Sequence, residues 1–174
     1  MTAGSFICTL IPVGGFLFLY WYFYTAVEVD NVCWAKDGDN TPVPAETAGA
    51  TDVNANFSLL LLFFGILQAI EVLKLVLAYG AVLCKSQFLL KLYNLLRISG
   101  LAQLVAYIMM LVYRLRHAGR VCSGSFLEEN AIVSYDDYLM TRGKLFWVLI
   151  LISWIFLGIA CLACIIFAVV AAKK

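Results

Sequence analysis

FSLLLLFFGILQAIEVLKLVLAYGAVLCKSQFLLKLYNLLRISGLAQLVAYIMMLVY, residues 57–113, decides the fold. It consists of two apolar runs, Phe57 to Leu83 and Phe88 to Tyr113, joined by Cys84-Lys85-Ser86-Gln87. A helix needs ~20 mostly apolar residues to cross the hydrocarbon core, so each run can span a bilayer with some tilt. A connector this short brings the second helix back beside the first, which predicts a tight antiparallel hairpin.

Two further runs flank the hairpin, Phe6 to Val27 and Leu145 to Ala172. Of the 174 residues, 64% are hydrophobic, where about half is usual for soluble domains. The expectation is an all-α protein, a four-transmembrane-helix antiparallel bundle, with residues 1–174 as one membrane domain. Its spans are about 6–27, 57–83, 88–113 and 145–172. The start, MTAGSF, lacks the positive region of a signal peptide, and the first run is too long for one, so a retained span is expected. Pro12 falls in the first turns of that span, where a kink is cheap. A net charge of +1 suggests no nucleic-acid partner.

Four spans place both termini on one side and loops 28–56 and 114–144 on the other. The first loop carries Glu28, Asp30, Asp37, Asp39, Glu46 and Asp52 against Lys36 alone. The second sets Arg114, Arg116, Arg120, Arg142 and Lys144 against Glu128, Glu129, Asp136 and Asp137. Counting only Lys and Arg, the loop side outweighs Lys85, Lys173 and Lys174, which would place the loops in the cytosol. The acidic first loop and the loop cysteines argue for cytosolic termini, in a plasma or endomembrane vesicle membrane, and that orientation is the expectation here. Ser125 to Glu128 and Ser134 to Asp137 each fit a capping box that could open a short helix.

Ionisable groups inside a bilayer are expensive and normally face the bundle interior with partners. Span two contains Gln68, Glu71 and Lys74; span three contains Lys91, Asn94, Arg97 and Gln103. Lys74 and Arg97 each lie ten residues from the connector, ~15 Å deep at 1.5 Å per residue. The spacing predicts a polar clamp of Gln68, Glu71, Lys74, Asn94 and Arg97, with the carboxylate meeting Lys74 along its helix and Arg97 across the hairpin. Lys91 is shallow enough to snorkel. The functional alternative is an ion or substrate path through this cluster, but a lone acid among several cations makes a poor proton wire.

The cysteines fall in two classes. Cys33 and Cys122 lie in loops on one face and form a candidate disulfide, with two separate thiols as the other reading. Cys84 beside Lys85 is a candidate palmitoylation site. Cys161-Leu-Ala-Cys164 has the C-x-x-C spacing of redox motifs, but it lies ~24 Å along the helix from the loop side, out of reach of the loop thiols. Gly158 to Ala172 reads instead as a small-residue packing face with its cysteines buried. Asn56-Phe-Ser58 matches a glycosylation sequon that abuts the membrane. His117 has no second histidine with which to hold a metal, and reads as a solvated loop residue. The sequence contains no catalytic triad, phosphate-binding glycine loop or acidic metal cluster, so no catalytic residue, metal or cofactor is expected. Tyr20, Trp21, Tyr22, Tyr24, Trp34, Phe146 and Trp147 form an interfacial aromatic belt.

The four spans, the tight second hairpin and the loop start Ala118-Gly-Arg120-Val-Cys122-Ser-Gly124 together resemble MARVEL-type four-span membrane proteins, in particular divergent members from single-celled eukaryotes. The loop motif rests on Gly119, Arg120, Cys122 and Gly124. The resemblance implies a non-enzymatic protein that organises membrane or vesicle structure, with cytosolic termini. The partners it implies are the bilayer, bound lipids or sterol, further copies of the chain, or other membrane proteins. The alternatives are an accessory subunit of a larger membrane complex and a small transporter or channel built on Glu71 and Arg97.

Overall fold

The computed structural model describes residues 3–127 and 135–172. Glu128 and Ser134, on which the two capping-box readings depend, lie outside the described residues, as do Lys173 and Lys174. The described chain runs α1 (Ala3–Thr25), β1 (Trp34–Ala35), β2 (Thr51–Asp52), α2 (Val53–Cys84), α3 (Gln87–Leu96), α4 (Ser99–Leu115), α5 (His117–Cys122), a 3-10 turn (Tyr135–Asp137) and α6 (Met140–Ala172). Among the described residues four helical segments are long and apolar enough to cross a membrane: Gly4–Thr25, Val53–Cys84, Gln87–Leu115 and Met140–Ile166. The protein is an all-α four-helix bundle, and each helix falls on one of the four apolar runs.

The hairpin forms as its connector requires. Asp52 caps the start of α2 by accepting from the Ala55 amide at 2.9 Å. Its end is closed by Lys85 in the left-handed conformation, φ 49°, with its amide returned to the Ala81 carbonyl. Only Lys85 and Ser86 separate α2 from α3. Span three is a helix in two pieces. Around Arg97 and Ile98 the backbone tightens to i→i+3 bonds, Arg97 to Asn94, Gly100 to Arg97 and Leu101 to Ile98.

The buried core lies toward the loop end. It draws Phe57, Leu60 and Leu61 from α2, Ala106 and Met110 from α4, and Phe146, Leu149 and Ile150 from α6. Phe57 meets Phe146 edge-on at 5.0 Å, and Tyr20 of α1 stacks on Phe64 of α2 at 5.3 Å. Toward the termini the bundle thins. There Phe6 stacks on Tyr79 at 4.3 Å, joining the start of α1 to α2. Helix α6 packs only as far as Ile150; from Leu151 to Ile166 all its residues are exposed except half-buried Ser153 and Ala163.

Two short strands shape the first loop. Antiparallel β1 and β2 pair Trp34 with Asp52 and Ala35 with Thr51, bringing the loop back to the start of α2.

Candidate functional site

Two polar layers hold the bundle together, one in the thin half and one at the loop end. In the first, Glu71 and Lys74 are three residues apart on α2 and therefore meet along one face. Lys74 Nζ donates to Glu71 Oε1 at 2.7 Å and to Oε2 at 2.9 Å. From α4, the Ser99 hydroxyl donates to Oε1 at 3.0 Å and Gln103 Nε2 donates to the same oxygen at 2.9 Å. Lys74 also donates to Ser99 Oγ at 3.3 Å. One carboxylate thus collects donors from both arms of the hairpin.

The expected clamp is corrected in three members. Arg97 and Asn94 are exposed, and neither touches Glu71. Arg97 lies in the break between α3 and α4 and is exposed, whereas Ser99, two residues on, is buried and begins the α4 face that carries Gln103. Gln68 turns instead to α1, donating to the Val13 carbonyl at 3.0 Å. The cross-hairpin partners are Ser99 and Gln103.

At the loop end, Cys33 and Cys122 form a disulfide across 89 residues, both sulfur-bearing side chains fully buried. Neighbouring backbone bonds hold it in place, the Val53 amide to the Cys33 carbonyl at 3.0 Å and the Leu139 amide to the Cys122 carbonyl at 2.8 Å. The motif residues around it owe their identity to close packing. A Cβ on Gly119 would strike the Tyr113 carbonyl, and one on Gly143 of α6 would strike Ser123. Ser123 donates to the Gly119 carbonyl at 2.6 Å, so α5 is pressed between α4 and α6. Gly124 takes φ +71°, which an L side chain rarely adopts.

The start of α5 fastens the first loop. Arg116 pairs with Asp37 at 3.1 Å, and His117 Nε2 donates to the Asp39 carbonyl at 3.0 Å. His117 is therefore a bonded residue that stays partly exposed, with its ring 5.1 Å from Phe126. Burial raises the Tyr138 hydroxyl above its ordinary value, and the Asp137 charge adds to that.

The residue that sequence reasoning missed is Arg142, 1% exposed in the first turn of α6. Its Nε donates to the Val27 carbonyl at 2.8 Å, and Nη2 reaches the Phe23 carbonyl at 3.2 Å. Its Nη1 donates to Asn54 Oδ1 at 2.7 Å and Ser58 Oγ at 2.8 Å. The Glu28 carboxylate, on a residue at φ 51°, accepts from the Thr141 and Arg142 amides at 2.7 and 2.9 Å, capping α6 from the end of α1. One guanidinium thus joins α1, α2 and α6. Ser58, the sequon hydroxyl, is one of its acceptors.

Of the remaining cysteines, Cys84 is exposed at the end of α2, and Cys161 and Cys164 are exposed on α6 rather than buried within the chain. These features define a four-helix membrane protein with disulfide-braced loops. No protein-family model matches the chain, and neither a curated protein nor a solved structure matches it.

Proposed function

We propose that this chain is a non-enzymatic membrane organiser that works by lateral assembly in the bilayer, with the terminal half of α6 as its assembly face. The observation that carries this reading is the split character of α6. Its first turns are locked to α1, α2 and α4 through Arg142 and Gly143, while from Leu151 to Ile166 its residues are exposed apart from half-buried Ser153 and Ala163. That free half contains Gly158, Ala160, Cys161, Ala163 and Cys164, small residues of the kind that let membrane helices approach closely. The resemblance to MARVEL-type proteins supports the same role, including service in vesicle membranes. The buried loop disulfide supports cytosolic termini, because such bonds persist on the oxidising side of a membrane. A transport path is less favoured, since Glu71 is saturated by its own neighbours and Arg97 stands apart from it.

The test uses the thiols already on α6. With Cys8 and Cys84 changed to serine, oxidation by dissolved oxygen with the lipid-soluble catalyst copper phenanthroline in native membranes should join Cys161 or Cys164 of two copies, two thiols giving one disulfide, and yield a dimer band that reductant removes. Monomer alone would overturn the reading. A single large heteromeric band on a native gel would replace it with the accessory-subunit role.

A further inference from the structure

The loop-side ends of α4, α5 and α6 leave a cavity of about 610 Å³ lined by Arg114, Leu115, Arg120, Ser125 and Trp147. It brings two guanidinium groups to one small space, with no carboxylate among its described lining residues. Arg114 is 8% exposed and has only neutral hydrogen-bond acceptors. Its Nε donates to the Gly143 carbonyl at 2.9 Å, and Nη2 reaches the Ser125 hydroxyl at 3.4 Å. Trp147 holds the group from one side, its ring centre 5.7 Å from the guanidinium carbon. Nη1 makes no hydrogen bond among the described residues, and none of their sealed side-chain nitrogens lacks a partner, so Nη1 keeps some contact with solvent, on a residue that lines the cavity. Arg120 is exposed and lies over the Phe126 ring at 4.7 Å, which steadies it without neutralising it. The ion pairs among the described residues are Lys74 with Glu71 and Arg116 with Asp37, so neither cavity arginine has an anion there.

A buried cation without a counter-charge is costly, and planar guanidinium groups match phosphate oxygens two at a time. The remaining lining, Leu115 and Trp147, is apolar and sits where the helices leave the bilayer, the level favoured by tryptophan. A free inorganic ion would make no use of that apolar wall, whereas the glycerol and upper acyl carbons of a phospholipid would. A choline group would add a third cation to two arginines, which favours a headgroup of net negative charge. We propose that this cavity binds the phosphate of an anionic phospholipid in the loop-side leaflet, held by Arg114 and Arg120 and flanked by Leu115 and Trp147.

The full chain, in nanodiscs of phosphatidylcholine doped with phosphatidylglycerol, tests this by native mass spectrometry of retained lipid. The unaltered protein should retain phosphatidylglycerol over phosphatidylcholine, and Arg120→Gln should weaken that retention about tenfold, the loss of one charge-assisted contact. Arg116→Gln removes the same charge nearby, from a side chain already paired with Asp37, and should leave retention unchanged. Equal retention by the unaltered protein and Arg120→Gln would overturn the proposal. An equal loss with Arg116→Gln would also overturn it, by showing only a general attraction. Arg120-dependent thermal stabilisation by millimolar inorganic phosphate, without lipid preference, would overturn the lipid source and leave a free-phosphate site.

Discussion

Glu71 and Arg97 were expected to act as a pair, and their separation shows what spacing can and cannot decide. Lys74 follows Glu71 by three residues, and that local relation survives in the fold as a 2.7 Å ion pair. Arg97 satisfied the depth argument but not the angular one, because the face of α4 toward α2 is set by Ser99 and Gln103. Glu71→Ala should therefore cost ~1–2 kcal/mol in detergent unfolding, two to three interhelical or i,i+3 contacts at the modest values measured in membranes. Arg97→Ala should stay within about 0.5 kcal/mol, as for ordinary surface changes. Equal losses from the two variants would restore the original pairing. Arg142 was illegible for a different reason. Several of its acceptors are backbone carbonyls at the end of α1, which no side chain announces and which a helix end leaves without partners. Arg142→Met should lower stability by about 3 kcal/mol, because those acceptors lose a charged donor in a buried place. Arg142→Lys should recover only part, since a single ammonium cannot reproduce the fork that spans α1 and α2.

At the scale of elements, the spans were the most legible part of the chain. Apolar length fixes them, and the short connector at residues 84–87 leaves one geometry for the central hairpin. The interruption at Arg97 and Ile98 was not legible, because tightened i→i+3 bonds there need neither proline nor a special residue. The loop motif was legible as a string and not as a purpose. Gly119 and Gly143 are far apart in sequence, yet each allows a close approach around α5, Gly119 of α5 to the Tyr113 carbonyl of α4 and Gly143 of α6 to Ser123 just past α5. Gly119→Ala should therefore destabilise by ~1–3 kcal/mol, the usual effect of forcing atoms into a packed site, and should slow formation of the adjacent Cys33–Cys122 bond. Gly100→Ala is the matching control: nothing lies within 4 Å of its added methyl, so helix propensity should make it neutral or slightly stabilising. Thermal unfolding of both variants, with a non-reducing gel for the disulfide, separates packing from propensity.

The whole molecule is uneven in a way that composition conceals. All four spans are long and apolar enough to cross a membrane, yet the packed core, the disulfide and Arg142 lie toward the loop end, while the other half is joined by a few contacts around Glu71, Gln68 and Phe6. Which end of a uniformly apolar helix packs depends on small and polar residues brought from distant segments, so hydropathy alone does not reveal it. This asymmetry sets the expected effect of reduction. A bond closing 89 residues would stabilise a soluble chain by about 4 to 5 kcal/mol through the entropy of its unfolded state. Here the unfolded reference keeps its spans inserted, which already restricts the 33-to-122 loop, so reduction should cost less than half of that. The local consequence should be larger than the global one, since β1, the start of α2 and α5 converge on the two cysteines. Labelling intact cells with an impermeant maleimide joins these expectations to orientation. Cys33 and Cys122 should resist the reagent until reductant is added and then react from outside, while Cys84 should react only after the membrane is opened. Reaction of Cys84 from outside would reverse the topology, and reaction of Cys33 before reduction would show the bond to be open in the cell.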